Sequence, residues 1–178
     1  MDAPSFWTVV MKRSDGVLVP AVEELSPEEL RAQPGGPETN PIGWLTWHLD
    51  KVQDDYLSLI SGSPTVWERD DWNSRFPNAE HALHIEPKDV GDFDPVDAAT
   101  LLEYHVAVRK RGGEVMADLV PDDFEKVLDP IYPTGKPMAV ADILAMVVSD
   151  TVQHVGQVAY LRGMLRDQGW YSGRRPVS

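Results

Sequence analysis

Residues 140–166 read VADILAMVVSDTVQHVGQVAYLRGMLR, the longest helical period in the chain. Ile143, Val147, Val158, Leu161 and Leu165 recur at the three- and four-residue steps that line one face of a helix. Two residues on that seam break the pattern. Asp150 and His154 are four apart, so both side chains project from the same face, where the period calls for apolar groups. A buried carboxylate needs a cation or several donors beside it.

A second decisive stretch lies upstream. Pro34-Gly35-Gly36-Pro37 breaks the chain, and Asn40-Pro41 reads as an N-cap followed by a first-turn proline. From Pro41 to Ser61, Ile42, Leu45, Leu49, Val52, Tyr56 and Leu59 keep helical spacing. That helix is about 31 Å long, with Gly62 as its C-cap. His48 interrupts its apolar face as Asp150 and His154 interrupt theirs. A third period, Leu101, Leu102, His105, Val108, Gly112, Val115, Met116 and Leu119, ends at Val120-Pro121. At the N-terminus, Phe6, Val9, Val10, Arg13, Val17 and Val22 predict a helix weakened by Gly16 and Pro20. Leu25-Ser26-Pro27 and Leu119-Val120-Pro121 each predict a cap and a short helical turn. The proline-broken stretch over residues 63–95 is a long connection with one short helix, between Val66 and Phe76. Trp67, Trp72 and Phe76 there read as a satellite core beneath the loop. Four helices without an alternating strand predict an all-α fold. It is a four-helix up-and-down bundle, a single domain over residues 1–178.

Composition narrows the function. The chain has 178 residues, 16 basic against 29 acidic, a net charge of −13, and no cysteine. Disulfides, cysteine nucleophiles and thiolate metal sites are therefore excluded. The acidic balance argues against nucleic acid and anionic membrane as partners. Its basic residues Arg162, Arg166, Arg174 and Arg175 gather at the C-terminal end, enough for one anionic ligand. No stretch is long and apolar enough to span a bilayer, and Met1-Asp2-Ala3-Pro4 lacks the basic start of a signal peptide, so the expected location is the cytoplasm. Nucleotide-binding glycine loops and GxSxG elbows are missing.

Depth along the helices brings the three polar intruders together. His48 stands about 10 Å from Pro41, and Asp150 and His154 about 15 to 21 Å from Val140. In an up-and-down bundle these two helices run the same way, and a modest stagger levels the three groups. Two imidazoles and a carboxylate make a facial metal site with open positions. The alternative is a satisfied polar network in which Asp150 accepts from His154 and a neighbouring aromatic donor. His105, on the seam of its helix, is open to three readings: hydrogen-bonded core histidine, metal neighbour or general base. Asp55, two turns beyond His48, is either an inward carboxylate or part of a solvated face. Arg162, two turns beyond His154, meets either an anionic substrate group or a nearby acid. His81 and His84 read as surface-loop histidines.

The segment Asn40-Pro41-Ile42-Gly43-Trp44-Leu45-Thr46-Trp47-His48-Leu49, with Val52-Gln53-Asp54-Asp55, resembles the second helix of the DinB-like superfamily. Asp150-Thr151-Val152-Gln153-His154-Val155-Gly156-Gln157, running on to Gly163, resembles its fourth. The resemblance implies a four-helix bundle carrying a divalent metal, zinc or nickel, on one histidine of the second helix and an H-x-x-x-H pair of the fourth. It carries ligand roles to His48, Asp150 and His154, with Asp150 in place of the first histidine of the pair. The mycothiol-dependent maleylpyruvate isomerases of that superfamily are similar in having a carboxylate, Glu, at this position. At its length the chain is expected to hold the bundle without their second domain.

The resemblance thus implies an enzyme. It would be a metal-dependent S-transferase or isomerase that joins a low-molecular-weight thiol such as mycothiol to a small electrophile. His105 or Asp55 would take up a proton, and Arg162 would steady an anionic part of the substrate. Two alternatives stand beside it: a non-catalytic, stress-induced metal-binding protein forming a helical homodimer, and a metal-dependent hydrolase.

Overall fold

A computed structural model describes residues 2–77, 79, 87–129 and 136–167. Four long helices form the body: α1 (Ala3–Val22), α3 (Ile42–Ser61), α5 (Ala98–Asp118) and α6 (Val140–Leu165). Two short ones, α2 (Pro27–Arg31) and α4 (Val66–Arg69), sit in the connections. The strands β1 (Val127–Leu128) and β2 (Met138–Ala139) form a small antiparallel pair just before α6. No helix among the described residues is long and apolar enough to cross a membrane.

Local chemistry sets the helix limits. Asp2 caps α1, accepting from the Ser5 N–H at 2.8 Å. Gly16 and Pro20 do not end that helix. The carbonyl that the Pro20 ring crowds belongs to residue i−4, which is Gly16, whose backbone yields most easily. Pro41, rather than Asn40, is the N-cap of α3, and Gly62 ends it in the left-handed region at φ 66°. Ser26 and Glu29 form a capping box on α2, and Thr65 and Glu68 form one on α4. The carboxylate of Asp54 reinforces the second of these, accepting from the N–H groups of Val66 and Trp67 at 2.8 Å each.

α3 packs between α5 and α6, and α1 closes the ring against both. Leu45 shares a cavity with Gln157 and Leu161, His48 faces His154, and Tyr56 clusters with Val140, Ile143 and Val147, so α3 and α6 are antiparallel. Asp50 meets His105, and Gln53 meets Arg109, so α3 and α5 run parallel. The all-α four-helix bundle with its long second connection is the expected one; the relative direction of α3 and α6 is not. Because α5 starts at the same end as α3, consecutive long helices do not simply alternate in direction, as they would in the expected up-and-down bundle.

Two contacts fix that connection. Pro95 lies against Gly43 so closely that a Cβ there would sit 2.5 Å from the proline Cβ. Arg31 of α2 pairs with Asp94. Trp67, Trp72 and Phe76 are not a satellite core; they pack with Tyr104 of α5 inside the main hydrophobic cluster. Such aromatic contacts add roughly 0.5–1.5 kcal/mol per pair beyond area burial.

Candidate metal centre

The buried stripe of α6 runs Val147, Thr151, Val155, Val158 and Arg162; it keeps Val147 and Val158 of the expected seam but passes one residue beyond Asp150, His154 and Leu161. Asp150 and His154 therefore stand half-buried at the stripe's border, facing α3. His48 meets them from α3. One ligand atom from each of the three lies within 4.8 Å of the others, the one such grouping among the described residues. The ring of His48 meets that of His154 edge-on, centroids 4.9 Å apart and planes at 89°. Trp44, one turn earlier on α3, stacks on the other side of His48 at 4.4 Å and 20°. The antiparallel pairing brings the groups level because their depths are counted from opposite ends.

Burial, with the neighbouring His154, pushes the His48 imidazole down to about 4, Asp150 acting in the opposite sense. It is neutral near pH 7, with a lone pair to offer. Burial alone would lower His154 too, but its contact with Asp150 and its hydrogen bond to Gln157 together raise it. His154 Nε2 lies 3.2 Å from Asp150 Oδ1, and His154 Nδ1 lies 2.7 Å from Gln157 Oε1. An oxygen at Nδ1 holds a proton there, which leaves Nε2, beside Asp150, as the atom that could offer a lone pair to a cation once it gives up its own proton.

Two further atoms speak to a cation. Nδ1 of His48 and Oδ2 of Asp150 are buried with no hydrogen-bond partner among the described residues. Other buried side-chain atoms of the described residues are left so, Trp47 Nε1 and Thr151 Oγ1 among them, but those of His48 and Asp150 stand together in the one cluster of metal-ligating groups. Two imidazole nitrogens and one carboxylate oxygen form a donor set that suits zinc and nickel, with coordination positions left over. The residues fit a divalent ion.

The other residues singled out in the sequence lie elsewhere. His105 is fully buried, its Nδ1 2.9 Å from Asp50 Oδ1 and its Nε2 3.1 Å from Asp15 Oδ1. Arg109 adds a 2.9 Å bond to Asp15 and another to Gln53. Burial opposes protonation of His105, yet the charge of Asp50 and the bonds to both acids push it up to about 9. Asp55 pairs with Lys51, one turn back on α3, and burial raises its carboxyl despite that cation. Arg162 Nη2 lies 3.6 Å from Glu24 Oε2. His81 and His84 fall outside the described residues.

Sequence reading passed over the partners: Gln157 as the anchor of His154, Trp44 as the platform under His48, and Asp50 as the charge under His105. Gln157 was in view, since i+3 spacing from His154 on a helix allows the bond. Asp50 gave no such signal, because its partner lies 55 positions away.

Comparison with known proteins agrees with this architecture. A family model described as the DinB superfamily matches residues 11–158. No curated protein matches the chain. A crystal structure of a conserved protein from Enterococcus faecalis superposes with a TM-score of 0.82 at 19% sequence identity, covering 94% of this chain and 99% of that one. At that identity the likeness concerns the fold. The chain belongs to the DinB superfamily.

Proposed function

We propose that the protein is a divalent-metal-dependent enzyme that joins or rearranges a small electrophile with a low-molecular-weight thiol. The observation that carries the reading is the convergence of His48, Asp150 and His154, with two of their buried polar atoms left unpaired. The absence of cysteine complements it: any thiol in the reaction arrives with the substrate.

His48 and His154 would supply the imidazole nitrogens, and Asp150 the charge that offsets part of a divalent cation. A divalent ion held there would supply Lewis acidity, which favours the deprotonated form of an entering thiol. Trp44 limits the tilt of His48 by stacking on it, and Gln157 keeps His154 in one tautomer. The proton given up by an entering thiol would leave to water, because Asp150 and His154 are only half-buried. His105 holds Asp50 and Asp15 in a separate buried network, and we assign it a positioning role on α3, next to the turn that bears His48.

The test is titration of the purified chain with zinc and nickel, followed by thiol conjugation to a chromogenic electrophile. Stoichiometric metal lost in both His48→Ala and His154→Ala, with thiol- and metal-dependent turnover, supports the proposal. Metal content untouched by either substitution overturns the site. Tight metal binding without thiol turnover overturns the activity and leaves a metal-binding protein or a hydrolase.

A further inference from the structure

Beside Leu45 and Gln157, the described residues line a solvent-open cavity of about 300 Å³, near the lower limit of roughly 300 Å³ for small-molecule sites. Its place follows from the antiparallel pairing of α3 and α6. A step from His48 back to Leu45 and a step from His154 on to Gln157 lead in the same direction, one helical turn from the His48–His154 pair. The cavity opens there, closed on one side by the turn that carries Glu38 and Asn40 and on the other by Gln157, Tyr160 and Leu161.

We propose that this cavity is the substrate pocket of the metal centre and that it selects a ligand bearing a positively charged amine. The proposal rests on the metal-centre reading above. Among the described residues, no basic side chain lines the cavity. The cations of neighbouring α6 are turned to other acids: Arg162 lies beside Glu24, and Arg166 pairs with Glu29 at 2.8 Å. Glu38, exposed on the wall, has no ion pair or hydrogen bond among the described residues, so its charge is available to a ligand. Leu45 and Leu161 offer apolar surface for a short hydrocarbon or ring between the two ends. Among the described residues, an anionic group in the same place would meet one carboxylate and no cation. The net charge of −13 works in the same sense, drawing cations toward the protein at long range.

The test uses the full chain loaded with cobalt(II) and three rigid benzenethiols, substituted para with aminomethyl, methyl or carboxyl. The ring prevents the second group from reaching the ion, and binding is read from the visible absorption. The aminomethyl compound is expected to bind roughly fivefold tighter than the carboxyl compound, about the contribution of one partly exposed ion pair. Glu38→Gln levels the series and Glu38→Lys reverses it, with cobalt content unchanged in both. Wild-type preference for the carboxyl compound overturns the proposal, as does a ranking that neither substitution alters. Benzylamine against benzoate, followed by saturation-transfer NMR, reads the same selectivity without a thiol. A chain that holds no metal, or ignores thiols, fails the functional proposal, while this second comparison still decides the pocket.

Discussion

Gln157 Oε1 sits 2.7 Å from Nδ1 of His154 and touches the candidate metal centre only through that histidine. Gln157 is exposed, so replacing it does not disturb packing. Gln157→Ala is expected to lower zinc affinity about 10- to 100-fold, the usual effect of removing such an anchor, with the unfolding midpoint of the metal-free chain unchanged. Competition with a chromophoric chelator measures the affinity.

Metal removal gives a second outcome. An ion bound only by the folded chain stabilises it by about 2.7 kcal/mol at a hundredfold excess over its dissociation constant. For a chain of this size that is roughly 5–10 °C in Tm. Zinc should raise the melting temperature by that amount, EDTA should reverse it, and Asp150→Ala should abolish the response in the same calorimetric scan.

The buried network carries a pH dependence. His105 is raised from 6.5 to about 9 in the folded chain, so its contribution is complete below pH 6.5 and is lost as pH rises through 9. The size is on the order of 3 kcal/mol. Urea midpoints should therefore fall between pH 7 and 9.5 in the wild type, and this slope should be shallower in His105→Gln.

Removing that histidine outright is more costly. His105→Ala leaves Asp50 buried and uncompensated, an expected loss of about 3–5 kcal/mol. Asp50→Leu in the same chain should recover part of it. A double-mutant cycle by chemical denaturation gives the coupling between the two.

Two glycines should respond in opposite directions. A Cβ on Gly43 would lie 2.5 Å from Pro95 Cβ and 3.0 Å from the Leu30 carbonyl oxygen, so Gly43→Ala is expected to destabilise by about 1–3 kcal/mol. Gly113, inside α5, has nothing within 4 Å of that position. Gly113→Ala should gain about 0.8–1 kcal/mol from helix propensity. Paired denaturation curves check both.

The helices and the three converging side chains were legible because both are local signals. Apolar periodicity marks the helices, and His48, Asp150 and His154 stand out as violations of it. Spacing alone could not give the direction of α6 against α3, which depends on where a long connection delivers the chain. Nor could it rank the acids of α3. Asp55 was the one singled out, but Asp50 and Asp54 are the more deeply buried, because α3 is covered by α5 on one side and by α4 near its end. Glu38 was silent as well, since a turn residue acquires meaning only once α6 is folded beside it.

His48 belongs to the second long helix and its two partners to the last, about a hundred residues later. An ion shared by them would act as a releasable cross-link in a chain with no cysteine to form a permanent one. A covalent bridge closing a loop of about that length contributes roughly 4.7 kcal/mol through the entropy of the unfolded chain. Held metal would therefore fasten the final helix to the rest of the bundle, and its loss would loosen the one element that carries two of the three ligands.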